Sequence, residues 1–222
     1  MTDKRYEIKF VVKKTQLPLI LEWLYFNTSA KESYPERTVN SIYFDDENFT
    51  SVSDNLIGIS KRSKYRVRWY GDYNLDSTTQ LIFEVKSRSN RLGSKDKIYI
   101  ESSRDIFSYG DMRDKVNSLD LDKKNISYLN PTLHVSYLRN YYEGSKDIRI
   151  TIDEKIQYSL PQHGSAILQN NPLSYPNNIV EIKFNPEMHD IVSASLKRLH
   201  LVPTRHSKYI TGISMFNQAV YL

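Results

Sequence analysis

Cysteine is absent from all 222 residues. Disulfides and thiolate metal sites are therefore excluded, and nothing in the chain calls for an oxidising compartment. Glycine is scarce, at 7 residues, so tight glycine loops are few. No stretch approaches the roughly 18 apolar residues of a membrane span, and the opening MTDKRYEIKF lacks the apolar run of about 7–15 residues of a secretory signal. These gaps point to a soluble, cytoplasmic protein with no membrane segment in this chain. No internal repeat, low-complexity tract or Pro/Gly/Ser linker divides the sequence, and 222 residues fit one large domain, so residues 1–222 are expected to form a single unit. Surplus charge is small: 31 Lys and Arg against 26 Asp and Glu give a formal +5. That excess helps an anionic partner approach without identifying one.

Tyrosine is plentiful, at 17, and with 8 Phe and 2 Trp it favours strands, where aromatic side chains suit a pleated, half-buried surface. Alternation of period two recurs in RYEIKFVV (5–12), VNSIYF (39–44), KYRVRWY (64–70), QLIFEVKS (80–87), KDKIYIES (95–102), LHVSYLRNYY (133–142), KDIRITIDEK (146–155) and NIVEIKF (178–184). These are eight candidate strands. Helical spacing appears in residues 15–26, where Thr15 is a candidate N-cap, Pro18 falls in the first turn, and Leu17, Ile20, Leu21 and Leu24 form a stripe. It appears again in 185–201, with Asn185 before Pro186, Glu187 in the first turn, and Lys197 and Arg198 at the end. A short third helix is expected within 105–119, and a long loop within 161–178. The class is α+β, and eight strands suffice to close a β-barrel whose interior holds side chains or one small ligand.

The charges are not scattered. In KYRVRWY, Lys64, Arg66 and Arg68 share one face, while Tyr65, Val67 and Trp69 share the other. The triplets Glu7-Ile-Lys9, Glu84-Val-Lys86 and Glu181-Ile-Lys183 each set a carboxylate and an ammonium on one face of a strand. A wet face of an ordinary antiparallel sheet also carries charge, but it mixes signs and includes Ser and Thr, which KYRVRWY does not. Two like charges 4 Å apart repel by roughly 4 kcal/mol at an effective dielectric of about 20, so converging cations require carboxylates, water or a polyanion. Phosphate suits them: Arg offers forked donors and Lys compact charge. A minority of carboxylates would hold a divalent metal through hard oxygen ligands.

In order along the chain, RYEIKF, SIYFDDENF, KYRVRWYG, FEVKSRSNRLGSKDK, SYLRNYY, RITIDEKI, VEIKF and RHSKYITGI resemble the successive blocks of the VTC domain of polyphosphate polymerases. That family is a branch of the triphosphate tunnel metalloenzymes, related to the CYTH triphosphatases. The resemblance implies an antiparallel eight-stranded closed β-barrel, or tunnel, with flanking helices and a basic lining. It also implies transfer of the γ-phosphoryl of ATP, or another nucleoside triphosphate, onto a growing inorganic polyphosphate chain. Carried over block by block, Arg66, Arg68, Lys86 and Arg139 would be catalytic, neutralising non-bridging oxygens. Lys9, Lys183, Lys208, and Lys95 or Lys97 would bind substrate, and Glu181 would hold Mn²⁺ or Mg²⁺. Glu7 and Glu84 read as partners that hold neighbouring lysines. The hydrolytic CYTH branch resembles E-x-E-x-K at the first strand, whereas this chain has Arg5-Tyr6-Glu7-Ile8-Lys9, a cation in place of the first acid. That departure suits the more basic VTC branch.

Three readings stand beside polymerisation. A metal-dependent triphosphatase of the same superfamily would release phosphate, and a non-catalytic sensor would only bind. A nucleic-acid module would need stacking and phosphate contacts on one surface, but the aromatics of KYRVRWY lie opposite its cations, so nucleic acid is not the expected partner. His134, His163, His189, His200 and His206 lack ligand spacing and read as structural or surface groups, with His206 beside the SKY block. Asp45, Asp46 and Glu47 read as a solvated turn, and parity admits only one of Asp153 and Glu154 to the interior. Full-length eukaryotic members carry phosphate-sensing and membrane modules that this sequence does not show, so coupling to a membrane would need a separate partner.

Overall fold

In a computed structural model the described residues are 5–72, 75, 78–89, 92–100, 106, 108–119, 128–162, 164–167, 171–199 and 201–216. The fold is α+β, with a large antiparallel sheet and, among the described residues, five α-helices. The strands are β1 Tyr6–Lys13, β2 Lys31–Asp45, β3 Lys61–Tyr70, β4 Leu81–Ser89, β5 Leu92–Ile100, β6 Asn130–Glu143, β7 Arg149–Ser159, β8 Leu173–Ser174 and β9 Asn177–Phe184. The helices are α1 Leu17–Thr28, α2 Thr50–Ile57, α3 Tyr109–Ser118, α4 His189–Leu196 and α5 Lys208–Met215. In hydrogen-bonded order the strands run β1-β9-β7-β6-β2-β3-β4-β5, with β8 on β7. The expected barrel had eight strands and was closed. Among the described residues no ladder joins β5 to β1, and the two-residue β8 makes the count nine. Both end strands are charged, with Glu7 and Lys9 on β1 and Lys95, Asp96 and Lys97 on β5, a composition that blunts a sheet edge.

The chain falls into two compact units. The first comprises residues 1–38, 137–156 and 174–207. Here β9 pairs with β1 on one side and β7 on the other. Alternation sends Phe10, Val12, Ile150, Ile152, Val180, Ile182 and Phe184 to one face, where they form a core with Trp23 and Leu24 of α1 and Val192 and Leu196 of α4. The opposite face carries Glu7, Lys9, Glu181, Lys183, Thr151 and Asp153. Helix α1 starts later than the sequence suggests. Thr15 lies in a 3-10 turn, Lys14–Gln16, and Gln16 rather than Thr15 precedes the first α-helical residue.

The second unit comprises residues 39–136, 157–173 and 208–222. It pairs β2 with β3, β3 with β4 and β4 with β5. Ile42, Phe44, Val67, Trp69, Leu81, Phe83 and Ile100 pack as a core with Tyr109, Met112 and Val116 of α3. Ser108 caps that helix, accepting from the Asp111 N–H at 3.1 Å, while the Asp111 carboxylate accepts from the Ser108 N–H at 2.9 Å. The aromatic column of KYRVRWY thus has its core, and the cations turn the other way.

Asp45 is not part of a solvated turn, as the sequence suggested; it is 1% exposed. Its carboxylate accepts from the N–H groups of Ser51 at 2.9 Å and Val52 at 3.2 Å, which anchors the N-terminus of α2. It also accepts from the Tyr209 hydroxyl at 2.8 Å, which ties α5 to β2. Burial raises the Asp45 pKa, and the hydrogen bonds from Ser51, Tyr209 and Asp46 oppose that rise. Within 161–178 the short β8 interrupts the expected loop, while His163 and residues 168–170 lie outside the described residues, as do His200 and positions 101–102 of the fifth candidate strand.

Gly212 lies mid-helix in α5, where glycine costs about 1 kcal/mol relative to alanine. Packing requires it: a Cβ there would meet Leu133 Cδ2 at 2.5 Å and Tyr158 Cδ1 at 2.6 Å. Gly212→Ala is expected to destabilise the protein by about 1–3 kcal/mol through overpacking. A lower urea midpoint at unchanged m-value is the readout.

Candidate functional site

In the second unit, register places Tyr43 beside Arg66, Arg66 beside Glu84 and Glu84 beside Lys97, all on the face away from the core. Ser41 and Arg68 form the next row. Glu84, only 3% exposed, is the centre of the group. Its Oε2 accepts from Arg66 Nε at 2.6 Å and lies 4.0 Å from Arg68 Nη1, and its Oε1 pairs with Lys95 Nζ. These four groups carry three positive charges and one negative. Burial raises the Glu84 pKa, but Arg66, Arg68 and Lys95 overcome it and bring the group down to about 2. Lys95 is itself brought down to about 8, first by burial, with Glu84 pulling up and the two arginines pushing down. The pair therefore shifts asymmetrically: the carboxylate is surrounded by three cations, whereas each cation shares one carboxylate with two others.

Tyr43 extends the cluster. Arg66 Nη1 donates to its hydroxyl at 3.3 Å, and its ring stacks on Tyr209 with centroids 4.8 Å apart and planes 6° from parallel. Burial raises the phenol pKa, but Arg66, Arg68 and Lys208 together bring it down to about 8. Lys208, the first residue of α5, adds to that lowering. Lys95 makes the ion pair with Glu84, although Lys97 is the cross-strand neighbour. Lys86 and Lys97 are exposed on the same face. Glu84 does hold lysine, but it is Lys95 from β5 rather than Lys86 two residues along its own strand.

In the first unit, Arg139 grips Asp153 with a two-point fork, Nε to Oδ1 at 2.5 Å and Nη2 to Oδ2 at 2.8 Å, with its guanidinium 5.1 Å from the centroid of Tyr137. Asp153 is 1% exposed, which settles the parity question, while Glu154 is half-exposed and accepts from Asn140 at 3.2 Å. Burial alone would lower the Arg139 pKa, but Asp153, Tyr137 and Glu181 hold it well above its usual value.

Alongside runs a checkerboard of four charges. Lys9 Nζ lies 2.8 Å from Glu7 Oε1 and 3.3 Å from Glu181 Oε2, and Lys183 Nζ lies 2.7 Å from Glu181 Oε1 and 3.8 Å from Glu7 Oε2. Burial opposes the charge on Glu181, but Lys9, Lys183 and Arg139 hold its carboxyl well below the usual range. Glu181 was the expected ligand of Mn²⁺ or Mg²⁺. Both its oxygens face ammonium groups, and no group of three or more His, Cys, Asp or Glu side chains among the described residues could hold a metal. The side chains as arranged do not fit a resident divalent ion. Arg5 pairs with Asp147 at 2.5 Å.

Of the described histidines, His134 is buried with Nδ1 2.9 Å from the Tyr109 hydroxyl and its ring 5.4 Å from Trp69, and burial lowers its pKa to about 3. His189 sits exposed beside Asp190 at 3.0 Å, and His206 packs on Tyr175 with centroids 5.6 Å apart. Tyr43, whose alternation with Ser41 on the face opposite Ile42 and Phe44 is visible in the sequence, and Asp153, the one of the Asp153–Glu154 pair that is buried, join the candidate site.

The folded pKa of Glu84, about 2, lies below its ordinary 4.5, so its charge stabilises the fold above about pH 4.5 and that stability is lost as pH falls through about 2. The contribution is on the order of 3 kcal/mol, so urea unfolding of Glu84→Gln at stepped pH should show a flatter acid limb than wild type. Above about pH 8, Lys95 loses a positive charge and Tyr43 gains a negative one, which cancels the surplus of the cluster. Calorimetry should find that tripolyphosphate affinity in metal-free buffer weakens by up to roughly tenfold per pH unit for each proton involved, and that Lys95→Met makes the slope shallower.

Comparison with known proteins bears on both fold and family. The chain superposes on an X-ray structure from Vibrio parahaemolyticus, provisionally described as an adenylate cyclase, with TM-score 0.51 and 10% identity over 92% of this chain and 95% of that one. It superposes equally, with TM-score 0.51 and 13% identity, on the PH1819 protein of Pyrococcus horikoshii OT3, over 96% of this chain and 99% of that one. At such identity the likeness concerns the fold. The sequence profile of the VTC domain matches residues 4–217, from β1 through α5, and the chain belongs to the VTC domain family.

Proposed function

We propose that this chain, acting as one domain, is a polyphosphate polymerase that transfers the γ-phosphoryl of ATP, or of another nucleoside triphosphate, to the end of a polyphosphate chain. The observation that carries the reading is the unbalanced Glu84 cluster, in which Arg66, Arg68 and Lys95 surround one buried carboxylate. A positive surplus held on a rigid sheet is arranged for an anion whose charge is spread over several oxygens. Phosphoryl transfer needs little covalent help from protein; positioning and charge stabilisation supply most of the acceleration.

In this reading Arg66 and Arg68 present fixed N–H edges to non-bridging oxygens, their side chains oriented by Glu84, Tyr43 and Ser41. Lys95 adds charge. Arg139, held by Asp153 and Tyr137, offers the same kind of donor, and Lys9, Lys86, Lys97, Lys183 and Lys208 supply further positive charge. The acceptor is an already ionised terminal phosphate, so no general base is assigned. The bond formed is a phosphoanhydride to the chain end, the bond broken is the β–γ anhydride of the nucleotide, and the diphosphate leaves with its own charge.

Incubation of the protein with ATP and Mn²⁺, followed by staining for polyphosphate, tests the proposal. Wild type should yield polymer, and Arg66→Ala should lose roughly 10²–10³-fold in rate, the usual cost of removing one charge-stabilising donor. Free phosphate without polymer would instead identify a triphosphatase. Polymer binding without either product would identify a sensor.

A further inference from the structure

We infer that Lys9 and Lys183 together hold the place between Glu7 and Glu181 that a resident divalent cation would need, so that this carboxylate pair takes no free Mg²⁺ or Mn²⁺. The inference deepens the proposed function and rests on its reading of the ligand as a phosphate polyanion. On that reading, a divalent ion reaches the protein as part of its complex with the triphosphate.

The strand register builds the exclusion. β1 and β9 are antiparallel, with Glu7 opposite Lys183 and Lys9 opposite Glu181. Because i and i+2 share a strand face, each acid has a cation both across from it and two residues along. All four carboxylate oxygens therefore face an ammonium, at 2.7, 2.8, 3.3 and 3.8 Å. Mg²⁺ binds oxygens at about 2.0–2.1 Å in near-octahedral geometry and gives up its waters reluctantly, so it would have to expel both ammonium groups. Expulsion gains it little, since the four side chains are together neutral and Arg139 adds a positive field at Glu181. Asp153, on the same face of β7 and two residues beyond the position opposite Glu181, has both oxygens on Arg139 and offers no third ligand. Lys183 is the more dispensable cation. Its side chain is 43% exposed against 23% for Lys9, so its removal leaves the smaller gap.

Titration of Mn²⁺ alone, followed by the electron paramagnetic resonance signal of the free aquo ion, tests the inference on the full chain without nucleotide. Wild type should leave the signal undiminished to about 1 mM Mn²⁺, the weak end of the range over which carboxylate sites hold divalent cations. Lys183→Met should bind Mn²⁺ at least roughly tenfold tighter, and adding Glu181→Gln should abolish the gain. Lys183→Gln, with circular dichroism to verify folding, serves if the Met variant does not fold. Equal Mn²⁺ binding by wild type and variant, or no gain in either variant, would overturn the inference. Tripolyphosphate titrated in EDTA reads the proposed function separately: failure to bind would overturn that reading, while the Mn²⁺ comparison, made without phosphate, would still decide the inference.

Discussion

The geometry of the basic face depends on Glu84. Three cations drawn together on neighbouring strands would repel by several kcal/mol in a partly buried setting, and a strand arrangement that gathered them without an acid would be driven apart. One carboxylate, nearly without solvent, bridges β3 to β5 through Arg66 and Lys95. It is enough to hold the cations and too little to neutralise them. Breaking this arrangement by removing Glu84 exposes the arginines to one another. Removing one cation instead leaves Glu84 with the other two, so the loss of the acid is the greater disturbance.

The first unit solves the same problem differently. Arg139 has a dedicated carboxylate, Asp153, in a two-point fork, and Lys9 and Lys183 alternate with Glu7 and Glu181. Its charges are matched, whereas those around Glu84 are in surplus. A polyanion meets an unbalanced positive field at the second cluster, while at the first it must compete with carboxylates for each ammonium. This difference supports the assignment of the main grip on phosphate to Arg66, Arg68 and Lys95.

Much of this was legible because strands write themselves in period two. The division of KYRVRWY into an aromatic and a cationic column held residue for residue, with Val67 and Trp69 in a core against α3 and Arg66 and Arg68 on the other face. The charge triplets likewise placed Glu7 with Lys9 and Glu181 with Lys183. What escaped was contact across strands and short helices. No spacing rule says which of Lys95 and Lys97, on one face, pairs with Glu84; that depends on how a long side chain reaches diagonally across the strands. Helix α2 is only eight residues long and is held by Asp45, which looked like part of an exposed acidic turn. Helix α5 hid behind Gly212, a poor helix former required by the nearness of Leu133 and Tyr158. The first half of β2 was obscured by Pro35 and by charge on both faces.

A crystal structure of the protein with tripolyphosphate bound is the most direct measurement of the central claim. Phosphate oxygens should accept from the Arg66 and Arg68 guanidinium groups and from Lys95, with Glu84 still seated behind them. A polyanion held elsewhere on the protein, with those three cations engaged by Glu84 and by nothing from the ligand, would contradict it.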